Sequence, residues 1–358
     1  MESLNIQPAQ QMVVQEILSA SKRVTKKQRW YTDNWLLMCM LLYIRNPASY
    51  CFIRNNNILP PPSISTIKRY LSLVGLKWGF DKDFFQALKL KMTSKSEYQC
   101  HGIVVFDEIQ VRKAMTVNSK TMTYEGFENF GDVEVKSKNP ILADHALVFL
   151  FQPFADSYSL PFGAFAAKGA TKGVVLAQLL VQGIMLLEEA GIIVDGICSD
   201  GAMTNRKMWS QLGVSGKLSN LKNYFQHPSA NDRKIYVFSD VPHLFKCIRN
   251  HLLNNKCLEL EDGRTVQWSF YEHLFDMDME NAGHLRVCPR LTPAHIHPTN
   301  FQKVKVKLAT QVFSNSVTNG LEFYAKRCPE KFENVDGTIC FTKMIYDTFD
   351  VLNRWHPA

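Results

Sequence analysis

A chain of 358 residues that is 46% hydrophobic and 11% aromatic can bury a substantial core, which excludes an intrinsically disordered chain and suggests two or three domains. Lys and Arg number 41 against 33 Asp and Glu, a formal charge of +8 that suits a polyanionic partner without requiring one. Its 9 cysteines are scattered, with no CxxC pair, which argues against a complete disulfide framework and for a reducing compartment.

Residues 1–95 read as helical. Met1 to Gln11 is polar and lacks the apolar core of a signal peptide, and Trp35 to Tyr43 is too short to cross a bilayer, so no membrane role is expected. Lys22, Arg23, Lys26, Lys27 and Arg29 form a basic cluster compatible with nuclear import or with an ordinary solvated face. Gln11–Leu18, Asp33–Ile44, Ala48–Asn55 and Thr66–Val74 carry apolar residues at helical spacing. The connector Leu59-Pro60-Pro61-Pro62 is stiffened by its prolines, and Ser63 or Ser65 can cap the helix after it. Ile67, Tyr70 and Leu71 then lie on one face, with Lys68 and Arg69 on the other. A helix-turn-helix with a basic last helix and a plain helical subdomain fit this pattern equally well.

Residues 96–235 alternate strand and helix. Gly102 to Phe106 is a strand continuing towards Val111, with Asp107 closing its apolar run. Thr116 to Asn139 is polar and reads as hairpin or loop. Ala146–Gln152 is a buried strand, and Tyr158–Ala166 a third strand with Pro161 marking an edge or bulge. Thr171–Ala190 is a helix of about five turns, capped by Thr171 and stopped by Gly191. Ile192–Cys198 is a fourth strand that exits into Ser199-Asp200-Gly201. Three strands, a helix and a fourth strand are the opening order of a ribonuclease H-like mixed sheet.

Residues 236–358 are less regular. Lys234–Ser239 is strand-like and Val241–Leu253 helical. A long helix is expected over Asn300–Phe323, with Lys303, Lys305 and Lys307 alternating with apolar residues, and a last one over Thr342–Leu352. His284, Cys288, His295 and His297 match no zinc-site spacing.

Two acidic residues at the ends of apolar strands carry the chemical reading. Alone, Asp107 could start a turn, and Ser199-Asp200-Gly201 is an ordinary tight exit. Together the strand order can bring them side by side, where Mg²⁺ would relieve their repulsion and activate an oxygen nucleophile against a phosphodiester. Lys246 near a helix start could meet a phosphate, although no P-loop motif is present. On physical grounds alone, a polar face on an amphipathic helix is the simpler explanation.

Four segments in this order resemble the P-element transposase family: Phe106-Asp107-Glu108-Ile109; Cys198-Ser199-Asp200-Gly201-Ala202 with Asn205; Asp240-Val241-Pro242-His243-Leu244-Phe245-Lys246 with Arg249-Asn250; and Leu291-Thr292-Pro293 with His295 and Pro298. The resemblance implies an α/β protein. A helix-turn-helix-like region (1–95) would precede the first part of a ribonuclease H-like catalytic domain (96–235), followed by part of a mainly helical GTP-binding insertion (236–358). It implies that Asp107 and Asp200 are metal-binding and catalytic, with Mg²⁺ or Mn²⁺ as cofactor. It also implies that Asp240, Lys246, Asp350 and Asn353 contact GTP. Lys68, Arg69, Lys303, Lys305 and Lys307 are expected to contact DNA. The implied activity is cleavage and strand transfer at transposon ends in the nucleus, with homo-oligomerisation left open. The family's N-terminal zinc module and the last catalytic Glu, expected on a helix after the insertion, are not found in the sequence. The alternative is a domesticated, non-catalytic DNA- or GTP-binding module.

Overall fold

The computed structural model describes residues 7–22, 30–71, 78–118, 122–132, 140–230, 232–280 and 285–352. The chain divides into two compact units, Met1–Lys77 and Trp78–Ala358. Arg23, Lys26, Lys27, Arg29, His284 and Asn353 lie outside the described residues.

The first unit is helical: α1 (Pro8–Ser21), α2 (Asp33–Arg45), α3 (Pro47–Asn55) and α4 (Ile64–Leu71). Trp35, Leu36 and Cys39 of α2, Tyr50 of α3 and Ile67 of α4 form its buried core. Thr32 caps α2 by accepting from the Trp35 N–H at 3.4 Å, while its hydroxyl donates to the buried Glu16 at 2.7 Å. The proline connector is anchored by the Tyr50 hydroxyl, which donates to the Pro62 carbonyl at 2.8 Å. Ser63 Oγ accepts from the Thr66 N–H at 3.1 Å, so Ser63 is the residue that caps α4. Lys68 and Arg69 project from α4 into solvent.

The second unit opens with α5 (Lys82–Met92) and holds a six-stranded sheet. Its strands are β1 (His101–Gln110), β2 (His145–Pro153), β3 (Leu160–Ala167), β4 (Ile193–Ser199), β5 (Tyr224–Gln226) and β6 (Lys234–Ser239). Their order across the sheet is β3-β2-β1-β4-β6-β5. The first three pair antiparallel, β4 and β6 run parallel to β1, and β5 is an antiparallel edge. This is the ribonuclease H-like arrangement. β3 is the opposite edge, and its ladder slips beside Pro161, as a residue without a backbone donor requires. The polar stretch after β1 contains a small hairpin, Thr116–Asn118 with Thr123–Glu125.

Period-two alternation builds the sheet. Val104 and Phe106 face the core, and Asp107 points the other way into solvent. Helix α6 (Gly173–Glu189) covers the core face with Leu176, Leu180, Ile184 and Leu187, spaced three or four residues apart, and with Leu179 beside them. Thr171 does not cap α6. The Glu108 carboxylate takes the Thr171 N–H at 2.7 Å, which holds Thr171 outside the helix, and regular bonding starts with Leu176 N–H to the Lys172 carbonyl.

A short α7 (Met203–Gln211) follows β4. After β6 the chain becomes mainly helical: α8 (Val241–Asn255), α9 (Trp268–Glu280), α10 (Val306–Val312), α11 (Asn315–Arg327) and α12 (Asp336–Leu352). Phe245, Trp268, Tyr271, Leu274, Phe313, Leu321 and Tyr324 form its core. The single helix expected over Asn300–Phe323 is three pieces. Thr299 and Gln302 close a capping box around the short Asn300–Lys303 turn. Lys305, between two β-branched valines, is extended with φ −79° and ψ 111°. Ser314 restarts the chain at ψ 158°, which lets Phe313 and Val317 both enter the core.

Candidate active site

The parallel ladder between β1 and β4 ends at Val105 opposite Cys198. Asp107 and Asp200 each stand two residues further on, Asp107 still within β1 and Asp200 one residue past the end of β4. Both line one open cleft of about 190 Å³ with Glu108, His145, Ala202, Thr204 and Asn205. Phe106, Leu147 and Leu176 add apolar lining. Among the described residues no Lys or Arg lines it, although the Arg206 guanidinium lies within 3.6 Å of a Cβ built on Gly201, next to Asp200.

Each carboxylate is held locally. The Asp107 Oδ1 accepts from the Glu108 N–H at 2.8 Å. The Asp200 Oδ1 accepts from the Ala202 N–H at 2.9 Å and from Asn205 Nδ2 at 2.7 Å, while the same amide reaches the Asp200 carbonyl at 3.2 Å. Asn205 sits on the first turn of α7, so the helix start aims the second carboxylate. Glycine lets that helix approach: a Cβ on Gly173 of α6 would lie 2.7 Å from the Thr204 carbonyl oxygen.

His145 enters the cleft from the start of β2. Its Nδ1 lies 2.8 Å from Asp144 Oδ1, whose carboxylate also takes the Gly169 N–H at 2.7 Å and pairs with Lys168 and Lys113. The Lys168 ammonium, then the Gly169 N–H and His145, hold the Asp144 carboxyl well below the usual carboxylate range. Asp144 remains charged and fixes the imidazole beside the two aspartates.

Two hard-oxygen side chains suit Mg²⁺ or Mn²⁺ better than a soft metal. Among the described residues, no group of three or more His, Cys, Asp or Glu side chains is arranged to hold an ion.

The remaining predicted site residues fall elsewhere. Asp240 caps α8, accepting from the His243 N–H at 3.1 Å and lying 3.0 Å from its Nδ1. Lys246 is half-buried one turn into α8, beyond the first-turn amides that would favour a phosphate. Asp350 lines a separate cavity of about 240 Å³ with Phe245, Arg290, Gln311, Tyr346 and Phe349, which neither Asp240 nor Lys246 joins. Phe245 and Phe349 pack edge to face there at 5.0 Å. Lys303 ends one helical turn, Lys305 lies in the extended link and Lys307 is on α10, so the three share no helix face. The roles of Asn205, Glu108 and the Asp144–His145 pair were not assigned from sequence. A polar residue five positions after Asp200, at a helix start, and an Asp-His pair at the head of an apolar run were the available signals.

Comparison with known proteins agrees with this architecture. Residues 76–213 match a family model described as TNP-like, RNase H N-terminal domain, and residues 242–358 match one described as TNP-like, GTP-binding insertion domain. The human DNA transposase THAP9 is 26% identical over 312 residues, covering 87% of this chain and 34% of the relative. The Drosophila melanogaster transposable element P transposase is 27% identical over 316 residues, covering 87% of this chain and 37% of the relative. The chain thus spans little more than a third of either. A solved Drosophila P element transposase strand transfer complex superposes with a TM-score of 0.71 at 25% identity, over 95% of this chain and 69% of that one. With a ribonuclease H-like sheet followed by the matched insertion domain, and with these relatives, the chain belongs to the P-element-type DNA transposase family.

Proposed function

We propose that the chain is the part of a DNA transposase that binds a divalent cation between Asp107 and Asp200 and directs it at a DNA phosphodiester, with GTP bound in region 242–358. The observation that carries this reading is that the two carboxylates line one cleft, each two residues past the last ladder pair of β1 and β4. Like charges so placed repel, and a divalent cation removes the repulsion. Bound there, Mg²⁺ or Mn²⁺ would supply an activated oxygen nucleophile and charge neutralisation at the phosphate.

The protein's own groups orient this site. Asn205 and the Ala202 N–H turn Asp200 towards the cleft. Glu108 ties the strand end to Thr171, fixing the wall from which α6 departs. His145, steadied by Asp144, offers its second ring nitrogen to a phosphate oxygen or a water.

The DNA would be transposon ends, met in the nucleus by a homo-oligomer as well as by Lys68 and Arg69 on α4 and by Lys303, Lys305 and Lys307. For GTP, the cavity beside Asp350 offers aromatic walls and a carboxylate able to accept from the guanine N1 and N2 donors; Asp240 and Lys246 lie outside that cavity and would have to meet the nucleotide from α8. Nicking of supercoiled DNA in Mg²⁺ or Mn²⁺ tests the reading. Cleavage abolished by Asp107→Ala and by Asp200→Ala supports it. DNA retention without cleavage supports the second reading, a non-catalytic DNA- and GTP-binding module. That reading is favoured by the two-carboxylate site, since two-metal phosphoryl transfer usually employs a third acidic ligand.

A further inference from the structure

Between α7 and β5 a two-stranded hairpin, Ser215–Lys217 with Asn220–Lys222, stands apart from the main sheet. Lys217 pairs with Asn220 and Ser215 with Lys222. Alternation therefore puts Lys217 and Lys222 on one face, and Gly216 with Leu221 on the other. Leu218, in the two-residue turn, is 91% exposed, and Leu221 is 69% exposed.

The hairpin continues into a basic aromatic platform on the edge strand. Lys222 Nζ lies 5.3 Å and Lys234 Nζ 4.5 Å from the centre of the Tyr224 ring, which meets Tyr236 edge to face at 6.1 Å. From Met203 to Phe238 the only acidic residue is Asp232. Arg233 is committed to Glu188 through two contacts of 2.9 Å. Among the described residues, Lys207, Lys217, Lys222 and Lys234 form no ion pair with a carboxylate. Exposed Lys217 and Lys234, half-buried Lys222 resting on the Tyr224 ring, and the bare Leu218 tip together present a cationic and apolar surface.

We propose that this hairpin and the Tyr224 platform are a DNA contact. Lys217, Lys222 and Lys234 would lie along the phosphate backbone, and Leu218 at the tip would enter a groove against sugars and base edges. The inference rests on the DNA reading of the cleft and adds a second anchoring point to it. α7 begins three residues after Asp200 and spans about 14 Å, and Lys222 Nζ approaches within 3.8 Å of a Cβ built on Gly213, just past its far end. The hairpin therefore stands one short helix from the cleft, a few base pairs along a duplex.

The test is fluorescence anisotropy of a labelled DNA duplex with the full chain over a salt series, using wild type, K217A/K222A/K234A, K217R/K222R/K234R and L218E. Lys217, Leu218 and Lys234 are exposed and Lys222 is half-buried, and circular dichroism checks the fold. The triple alanine variant is expected to bind about tenfold or more weakly at low salt, with a log–log salt slope reduced by about 1 per lysine. The arginine variant should retain both, and L218E should weaken binding through its charge at the tip. Wild-type binding unchanged by both the triple alanine variant and L218E would overturn the hairpin contact and leave the DNA reading standing. Absence of duplex binding by wild type would instead defeat the DNA reading, and the hairpin contact with it.

Discussion

Asp107 near the end of β1 and Asp200 just past the end of the adjacent parallel β4 each follow the final ladder pair, Val105 with Cys198, by two residues, and both line one cleft. This relation is a consequence of register. A one-residue slip between β1 and β4 would turn one carboxylate to the opposite face of the sheet. The buried run Val104, Phe106, Val194 and Ile197 prevents that slip, so the core that stabilises the sheet also aligns the acids.

Asn205 is the group that aims Asp200. Replacing it with alanine removes a 2.7 Å bond to the carboxylate and should cost about 1 kcal/mol of stability. Mn²⁺ affinity, measured by calorimetry, should fall by about 10–100-fold, the usual consequence of losing a group that orients a ligand. An unchanged affinity would mean that Asp200 needs no such partner.

Asp144 gives a pH test. Lys168, Gly169 and His145 hold its carboxyl low in the folded chain, so it binds a proton more readily when unfolded. Its contribution to stability is therefore fully present above the ordinary aspartate value of about 3.9 and is lost as pH falls towards the depressed folded value. The urea midpoint of Asp144→Asn should lie below that of wild type near neutral pH, and the gap should narrow below about pH 4. A gap that widens on acidification would contradict the assignment.

Asp278 anchors the helical region by a different principle. It is fully buried and accepts from the Val287 and Cys288 N–H groups at 2.7 and 3.1 Å, from Arg286 Nε at 3.1 Å and from the Tyr324 hydroxyl at 3.1 Å. Asp278→Ala strands those donors and should cost about 3–5 kcal/mol in chemical denaturation. A loss under about 1 kcal/mol would show that water replaces the carboxylate there.

Asp350 can be tested by changing the base. If it accepts from the guanine N1 and N2 donors, Asp350→Asn should weaken GTP and strengthen xanthosine triphosphate, whose C2 carbonyl meets the new amide donor. Equilibrium binding of both nucleotides measures this. Parallel loss of the two would remove Asp350 from base reading.

Much of the sheet was legible because strand periodicity and apolar runs are local signals. Asp107 and Asp200 stood out at the ends of such runs, and Pro161 marked an edge. The misread elements depended on distant partners. Thr171 looks like a helix cap until Glu108, 63 residues away, takes its N–H. The stretch around Lys305 is helical by composition, and only the burial of Phe313 and Val317 after the break explains its division. The bond between Asn205 and Asp200 depends on the geometry of a helix start, and the common platform of Lys222 and Lys234 on strand pairing. Neither is written in residue spacing alone.

The most direct measurement is Mn²⁺ binding to the intact chain by electron paramagnetic resonance, comparing wild type with Asp107→Asn and Asp200→Asn. If the two side chains grip one ion, wild type should bind it and each single variant should lose that binding. The contradicting result is Mn²⁺ binding that survives undiminished in either variant.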